Sequence, residues 1–251
     1  MSPRVFPFVA SLALLGVVWH VAAVATADPT VLPTPAEVAR LMWAETVDGP
    51  LLHHMTMTLG RVVAAFAIAM GVGTALGLVT GRSRKADLWL GPWVTVFLNI
   101  PALVVIVLCY LWIGLNELAA ILAVSINKTA MVAVMVREGT RALDPALDDL
   151  STAYRMPRWT RARHVIWPQL QPHMFAAMRN GVAIIWKIVL VVEFLGRPNG
   201  IGFQIHLYFQ LFETGHVLAY AFSFVALMLV VEYALFARWE KRSTAWRRLA
   251  A

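Results

Sequence analysis

Ionisable residues that interrupt long apolar runs are the first candidates for chemistry in this sequence. They are Lys128, Lys187, Glu193 and Glu232. A charged side chain inside an apolar run is costly to bury and is a functional candidate by default. Two interpretations stay open for each lysine. It could face a pathway and attract an anionic solute, or a glutamate or carbonyl groups within the fold could neutralise it.

Polar and helix-breaking residues extend this set of pathway candidates. Asn99 and Pro101 predict a helix irregularity that lines a cavity. Lys187 and Glu193 are six positions apart, about 240° around a helix, so we do not expect them to share a face. The candidate pathway residues are Asn99, Pro101, Lys128, Trp186, Lys187 and Glu193.

No pattern typical of catalysis or metal binding accompanies these residues. The sequence lacks G-x-S-x-G, H-E-x-x-H, Cys/His ligand spacing and the phosphate loop G-x-x-x-x-G-K-[ST]. The seven histidines are scattered, and we expect isolated histidines near the interfaces. We therefore predict no catalytic residue, no metal site and no cofactor in this chain, and we favour a transporter over an intramembrane protease or phosphatase.

The composition is typical of a polytopic membrane protein. Hydrophobic residues make up 60% of the 251 positions and charged residues 14%, against about 45–50% and about 25% in soluble domains. A soluble enzyme or a disordered chain is therefore excluded, and the single Cys109 excludes a disulfide scaffold. The net charge of +7 lies mostly between apolar runs and does not indicate nucleic-acid binding.

Six apolar runs are long enough, or nearly so, to span a membrane, which requires about 20 residues. No gap between them is long enough for a soluble domain. We therefore predict an all-α fold, with one transmembrane domain over residues 1–251. The predicted spans are residues 5–25, 59–79, 89–113, 118–136, 174–195 and 217–239.

The distribution of lysine and arginine predicts the orientation of these spans. One set of gaps and the C-terminal tail hold most of the basic residues, whereas the opposite side holds only Arg40 and Arg197. Because basic loops stay in the cytoplasm, both termini are expected there. Ala25-Thr26-Ala27 would also suit a signal-peptide cleavage site, but the first apolar run is longer than a usual signal core, so we favour an uncleaved span.

Two local patterns predict packing. Leu32-Pro33-Thr34-Pro35 predicts an extended segment before an amphipathic helix over residues 36–46, which would lie at the outer interface or cap the bundle. Gly73, Gly77 and Gly81 recur every four residues, and this spacing predicts the close approach of another helix.

The cytoplasmic gap after the fourth span predicts two short helices. Asp144-Pro145 is a good helix start, and Met156-Pro157 breaks the first helix. A second helix over residues 158–167 is expected to end at Pro168. Scattered basic residues would satisfy the positive-inside rule, so a compact helical knob (Asp144–Pro168) favours docking to a partner over a solvated basic loop.

The run from Asp149 through Ala153 and Arg155 to Pro168 resembles the cytoplasmic "EAA" loop of bacterial ABC importer permeases. The resemblance extends over nearly the whole chain and indicates the nitrate/sulfonate/taurine branch. The similar segments are Leu32-Pro33-Thr34-Pro35 with Glu37-Val38, Ile100-Pro101-Ala102, Trp112-Ile113-Gly114, Trp186-Lys187, Glu193-Phe194-Leu195-Gly196 and Gly200-Ile201-Gly202.

Three departures from that loop pattern occur. Asp149 stands where the family usually has glutamate, Leu150-Ser151 replaces an alanine pair, and Arg155 occupies the usual glycine position. A glycine there would permit a left-handed turn. We expect the Met156-Pro157 pair to supply the bend instead.

The resemblance implies a type I ABC importer permease subunit, multi-pass in the bacterial cytoplasmic (inner) membrane and surrounded by membrane lipid. Two copies would form a homodimer around the pathway, and a cytoplasmic ATPase subunit that binds ATP and Mg²⁺ would dock on each knob. A periplasmic or lipid-anchored solute-binding protein would deliver the solute. The coupling residues implied are Asp149, Ala153, Arg155, Arg158, Trp159, Arg161 and Pro168.

The resemblance also sets expectations for coupling and solute. Trp159 would anchor in the ATPase, Asp149 and the arginines would make polar contacts, and Pro168 would fix the exit direction of the chain. The branch handles small nitrogen or sulfur compounds, so we expect a small anion of the sulfonate, taurine or nitrate type, moved by alternating access. An ATP-independent secondary transporter or channel is the alternative, although the internal repeats typical of such folds are not visible.

Overall fold

The computed structural model describes the backbone of residues 5–243 and the side chains of residues 7 and 10–231. Every regular element in this part of the chain is helical, which confirms the all-α prediction. The helices are α1 (Val5–Thr26), α2 (Pro35–Val47), α3 (Leu51–Arg82), α4 (Arg84–Asn99), α5 (Ala102–Ile113), α6 (Glu117–Arg141), α7 (Pro145–Ala153), α8 (Arg158–Arg161), α9 (Trp167–Gly196), α10 (Ile201–Gln210) and α11 (Thr214–Ser243), with a π-helical turn, Ala162–Ile166, between α8 and α9.

The apolar runs all fall on helices. Among the described residues, four stretches are long and apolar enough to cross a membrane alone: α3, α6, the continuous stretch Arg158–Gly196, and Thr214–Val231 of α11. The bent pair α4 and α5 could supply a fifth span, and α1 contributes the shorter apolar stretch Ala10–Thr26. The count of six and the cytoplasmic termini remain predictions, and residues 1–4 and 244–251 lie outside the described part.

The run predicted as one span over residues 89–113 is not one straight helix. α4 ends at Asn99 and α5 begins at Ala102, and the two helices are bent by 98°. Pro101 has no backbone N–H and forces the preceding residue out of the helical region, and Ile100 is accordingly extended (φ −71°, ψ 125°). Pro101 therefore marks a helix irregularity, as the sequence predicted.

The prediction that the second knob helix ends at Pro168 is wrong. α8, the π-helical turn and α9 form one continuous stretch, Arg158–Gly196. Pro168 cannot donate a backbone hydrogen bond, but it follows a turn in which the helical ladder has already shifted, because the Trp167 N–H donates to the Ala162 carbonyl five residues back. The knob is thus directly continuous with the long helix that follows it.

The described part of the chain forms two compact units, one of residues 5–58 with 198–231 and the other of residues 59–197 with 232–243. In the second unit, α6 packs against α9, α5 and α4 around an apolar core.

The close helix contact predicted from the glycine spacing lies between α3 and α6. A Cβ added to Gly73 would be 2.6 Å from Val132 Cβ, and one added to Gly77 would be 2.6 Å from Val136 Cβ. Only glycine permits this approach, so the spacing serves packing within the chain.

In the first unit, side chains cap the short helices. α2 covers the predicted residues 36–46 and begins with a reciprocal cap between Thr34 and Glu37. The carboxyl of Glu37 accepts hydrogen bonds from the backbone N–H and the side chain of Thr34. These bonds, of which the backbone one has the larger effect, hold the pKa of the Glu37 carboxyl below its usual value.

His54 is not an isolated interface histidine, because it is buried and its Nδ1 accepts the Gly200 N–H at 3.0 Å, at the start of α10.

Candidate functional site

The helical knob is fastened by contacts among its own residues. Asp144 caps α7, its side chain accepting from the Ala146 N–H at 2.9 Å. Across the turn, Arg161 Nε donates to Asp148 Oδ1 at 3.0 Å, which ties α8 to α7. At the exit, the Asp144 N–H donates to Gln169 Oε1 of α9 at 2.9 Å. The two short helices therefore form a defined shape rather than a loose basic loop.

Arg155 itself adopts the left-handed conformation that a glycine would allow. Its φ is +48°, immediately after the C-cap residue Tyr154, and Pro157 follows in an extended conformation. The expectation that Met156-Pro157 would replace the left-handed residue is thus wrong. The turn needs both features, because only four residues separate the end of α7 from the start of α8. Arg155 bears the strain of a side chain at positive φ.

An exposed apolar surface covers the outside of the knob. Trp159 and Tyr154 are each 73% exposed, and Leu147 and Leu150 are also exposed. Leu147, Leu150 and Tyr154 recur at helical spacing and so lie on one face of α7 and its cap. Exposed apolar patches of this kind mark contact surfaces. Sequence reasoning selected Trp159 but missed the other three, although their spacing was readable.

The remaining coupling candidates divide into two groups. Asp149, Ala153, Arg158 and Pro168 are exposed on the knob, as contact with a partner requires. Arg161 is only partly exposed and is paired with Asp148, so it positions the knob's helices as well as lying near its surface.

A buried charge cluster joins three helices of the second unit. Arg61 of α3 donates through Nε and Nη2 to both carboxylate oxygens of Glu117 (2.6 and 3.1 Å), and through Nη1 to Glu193 of α9 (2.6 Å). Arg197 pairs with Glu117 at 2.6 Å and donates to the Leu115 carbonyl. The side chains of Arg61 and Glu193 are 3% and 0% exposed, and such charges are stable only when paired.

Arg61 is the central residue of this charge cluster, and sequence reasoning missed it. It lies two residues inside the predicted second span, and Glu117 and Glu193 lie at the corresponding ends of the fourth and fifth spans. The predicted orientation puts all three at the same side of the membrane, so their charges could have been matched. Glu193, a pathway candidate, is instead placed by the structure inside this charge cluster.

The two candidate lysines have different surroundings. Lys187 is exposed on α9, with its Nζ 5.5 Å from the centre of the Trp186 ring, a cation–π distance. Lys128 is buried on α6, with Met131 Sδ 3.9 Å from its Nζ. Within the described part of the chain, neither lysine forms an ion pair with a carboxylate. An exposed cation on a spanning helix is expected to face water or another protein surface.

Asn99 and Pro101 do not line the apolar cavity between α3, α4 and α6. Asn99 and Pro101 are exposed at the bend between α4 and α5, and the Asn99 side chain donates to the Thr95 carbonyl at 2.8 Å. The cavity, of about 400 Å³, lies between α3, α4 and α6. None of Asn99, Pro101, Lys128 or Lys187 lines it, and their place on a pathway stays a prediction.

Solved structures of similar fold come from ABC transporters. A crystal structure of an amino acid ABC transporter with histidines matches with a TM-score of 0.63 at 22% identity, covering 76% of this chain and 93% of that one. An inward-facing structure of the MetNI methionine ABC transporter matches with a TM-score of 0.65 at 17% identity, covering 80% and 98%. These matches show the fold.

Curated relatives resemble the chain at equal identity but carry different solutes in their names. The putative aliphatic sulfonates transport permease protein SsuC of Bacillus subtilis is 26% identical over 208 residues, 82% of this chain and 75% of its own length. The taurine transport system permease protein TauC of Escherichia coli is 26% identical over 244 residues, 93% and 86%. The riboflavin transport system permease protein RibX of Chloroflexus aurantiacus is also 26% identical, over 94% and 88%.

The family assignment rests on most of the chain. Residues 55–241 match the profile of the family described as binding-protein-dependent transport system inner membrane component. This region contains the charge cluster, the knob and both candidate lysines. The chain belongs to this family, and it is an inner-membrane permease component of an ABC importer.

Proposed function

We propose that the chain is half of the membrane part of an ATP-driven importer for a small anion. Two copies surround the pathway, an ATPase subunit that binds ATP and Mg²⁺ docks on each knob, and an external binding protein delivers the solute. The observation that carries this proposal is the exposed aromatic surface of the knob, Trp159 and Tyr154, on a helical structure continuous with α9.

Continuity explains how movement of an ATPase would reach the pathway. The stretch Arg158–Gly196 is helical for 39 residues, and it begins next to Trp159 at one end and carries Lys187 further along. A docked partner that shifts the knob would therefore tilt α9 as a rigid element. Small displacements of packed helices of this kind underlie many switching transitions.

The proposed solute follows from Lys187 and from the relatives. An exposed lysine on a spanning helix, together with its counterpart from a second copy, would give a path with two cations and favour an anion. Two of the relatives described above are named for sulfonates and taurine, both of which carry a sulfonate group. Another relative is named for riboflavin, which is not a sulfonate, so the lysine has to be tested directly.

The docking test removes the aromatic anchor. Trp159→Ala is expected to weaken co-purification of the ATPase by at least about 30-fold, because truncating an aromatic hot spot costs about 2 kcal/mol or more. Trp43→Ala is the matched control, since Trp43 lies on α2 and is 72% exposed, against 73% for Trp159. Arg161 is left intact, because its loss would break the contact with Asp148.

The docking result has two clear outcomes. Loss of the ATPase from Trp159→Ala, with retention by Trp43→Ala and normal membrane insertion of both, would support the coupling assignment. Equal retention of the ATPase by both variants would contradict it.

The solute test changes the charge of Lys187 in the reconstituted complex. Lys187→Gln is expected to lower uptake of an alkyl sulfonate while leaving ATPase binding intact, and Lys187→Arg should preserve most uptake because it keeps the cation. Unchanged uptake by Lys187→Gln would exclude a role for this lysine in attracting the solute.

A further inference from the structure

The apolar cavity of the second unit has the properties of an acyl-chain site. Its volume is about 400 Å³ and its walls include Val72, Leu76, Leu90, Trp93 and Phe97. Ser125 and Thr129 also line it, but each hydroxyl donates to a carbonyl of α6, Ile121 at 2.7 Å and Ser125 at 2.8 Å. The walls therefore offer few polar partners, and the occupant must be apolar where it lies in the cavity.

Three exposed cations lie at the end of the hairpin formed by α3 and α4. They are Arg82, Arg84 and Lys85, on the side that the positive-inside rule assigns to the cytoplasm. Among the described residues, none of the three forms an ion pair with a carboxylate. The neighbouring Arg141 differs, because it binds Asp87 at 2.6 Å. The hairpin end thus carries positive charge that the chain itself does not neutralise.

The cations and the cavity are in line along the hairpin. Leu76 of α3 and Leu90 of α4 are each seven residues from Ser83, which separates the two helices, and both line the cavity. Leu90 is five residues beyond Lys85, about 7.5 Å along α4. Exposed Trp89 lies between them, in the position that aromatic residues favour at a membrane interface. Along α4, the cation Lys85 is therefore followed by the interfacial Trp89 and then by Leu90 in the wall of the cavity.

We propose that this hairpin binds an anionic phospholipid, with the headgroup phosphate at Arg82, Arg84 and Lys85 and an acyl chain in the cavity between α3, α4 and α6. Basic clusters next to membrane helices attract anionic lipids, at about 1 kcal/mol per basic residue. The cavity makes the site specific, since lipid on a flat helix surface would not be enclosed on three sides by different helices.

Charge also argues against a second copy of the chain as the occupant. A two-fold interface places the same surface of both copies together. An interface over the hairpin end would then gather three cations from each copy into one contact surface, and like charges gathered at an interface are destabilising. A lipid phosphate provides the opposite sign. This inference does not depend on the proposed solute or on the ATPase contact.

The test measures lipid retention by the purified complex in bilayer discs of phosphatidylcholine with increasing phosphatidylglycerol. Native mass spectrometry of the released complex is expected to show preferential retention of phosphatidylglycerol. Arg84→Gln with Lys85→Gln should weaken it about 30-fold, the equivalent of two basic residues. Inorganic phosphate should not displace the bound lipid, because it has no acyl chain.

A second variant tests the cavity without touching the charges. Val72→Trp fills the cavity from a position that is 48% exposed and should lower retention, whereas Val79→Trp, on the same helix at 49% exposure and outside the cavity, should not. Equal retention of both lipids, or unchanged retention by Val72→Trp, would overturn the proposal. If Val72→Trp separates two copies of the chain and leaves lipid retention intact, a second copy covers this surface instead.

Discussion

The charge cluster and the helical knob use similar residues in opposite ways. In the charge cluster, Arg61 and Glu193 are almost wholly buried and each is satisfied by a charge from another helix. In the knob, Arg158 and Asp149 are exposed and accompany exposed Trp159. Buried charges must be paired within the fold, whereas exposed charges beside an apolar surface are available to a partner. The first region therefore serves cohesion of the chain, and we propose that the second serves assembly.

The largest expected effect comes from breaking the charge cluster. Glu193→Gln leaves the Arg61 guanidinium buried with less compensating charge, and loss of one partner of a buried pair costs about 3–5 kcal/mol. We expect a large fall in the free energy of unfolding, measured by denaturant titration in detergent. Arg61→Met combined with Glu193→Met should recover part of the loss, because it removes both charges.

The matched control for this prediction is Glu138→Gln. Glu138 also pairs with an arginine, Arg137 at 3.1 Å, but its side chain is about half exposed, so its loss should cost no more than about 1 kcal/mol. Equal destabilisation by the two glutamine substitutions would show that burial does not distinguish the charge cluster from surface pairs.

A second prediction extends the comparison from charge to packing. Gly77→Leu should destabilise the second unit by about 1–3 kcal/mol, because a Cβ there already lies 2.6 Å from Val136 Cβ and the helices must separate. Gly71→Ala, on the same helix with no atom near the added Cβ, should instead stabilise it by about 0.5–1 kcal/mol. Denaturant titration checks both variants. If both substitutions changed the free energy of unfolding in the same direction, close packing at Gly77 would be refuted.

A third prediction concerns strain in the knob. Arg155→Gly should stabilise the turn between α7 and α8 by about 0.5–1 kcal/mol, because relief of the left-handed side chain outweighs the added freedom of glycine in the unfolded chain. Hydrogen exchange of the α7 amides should slow accordingly. Arg158→Gly provides the contrast, since Arg158 begins α8 and glycine there should speed exchange. Faster exchange in Arg155→Gly would contradict a strained turn.

The smallest effect is expected at the Glu37 cap, outside both charged regions. Its hydrogen bonds to Thr34 lower the pKa of the folded carboxyl, so the cap contributes stability above the unfolded pKa and loses it as the pH falls through the lower folded pKa. Amide exchange at the start of α2 should therefore accelerate in that acidic range. Glu37→Gln should abolish this pH dependence. Acceleration at neutral pH instead would show that the titrating group is another one.

The sequence predicted the elements better than the contacts between them. Apolar runs, Asp144-Pro145 and the glycine spacing report local requirements, and the structure has helices and close packing at these places. Arg61 contacts residues 56 and 132 positions away, and single-sequence periodicity contains no information on such pairs. Its role could be inferred only by assigning the ends of three spans to one side of the membrane.

The two errors in the knob have local causes. Pro168 was expected to end a helix, but the shift of hydrogen bonding in the π-helical turn accommodates a residue without an N–H. Arg155 was expected to avoid the left-handed region, but the surrounding turn requires that conformation of whichever residue stands there. In both cases the neighbouring backbone outweighed the preference of a single residue.

The most direct test of the central claim is to purify the tagged chain from its native membrane in mild detergent and identify the proteins that accompany it. The account predicts an ABC ATPase in equal molar amount, as expected if the knob exists for docking. A chain that purifies without an ATPase and still moves solute into liposomes in the absence of ATP would contradict the account.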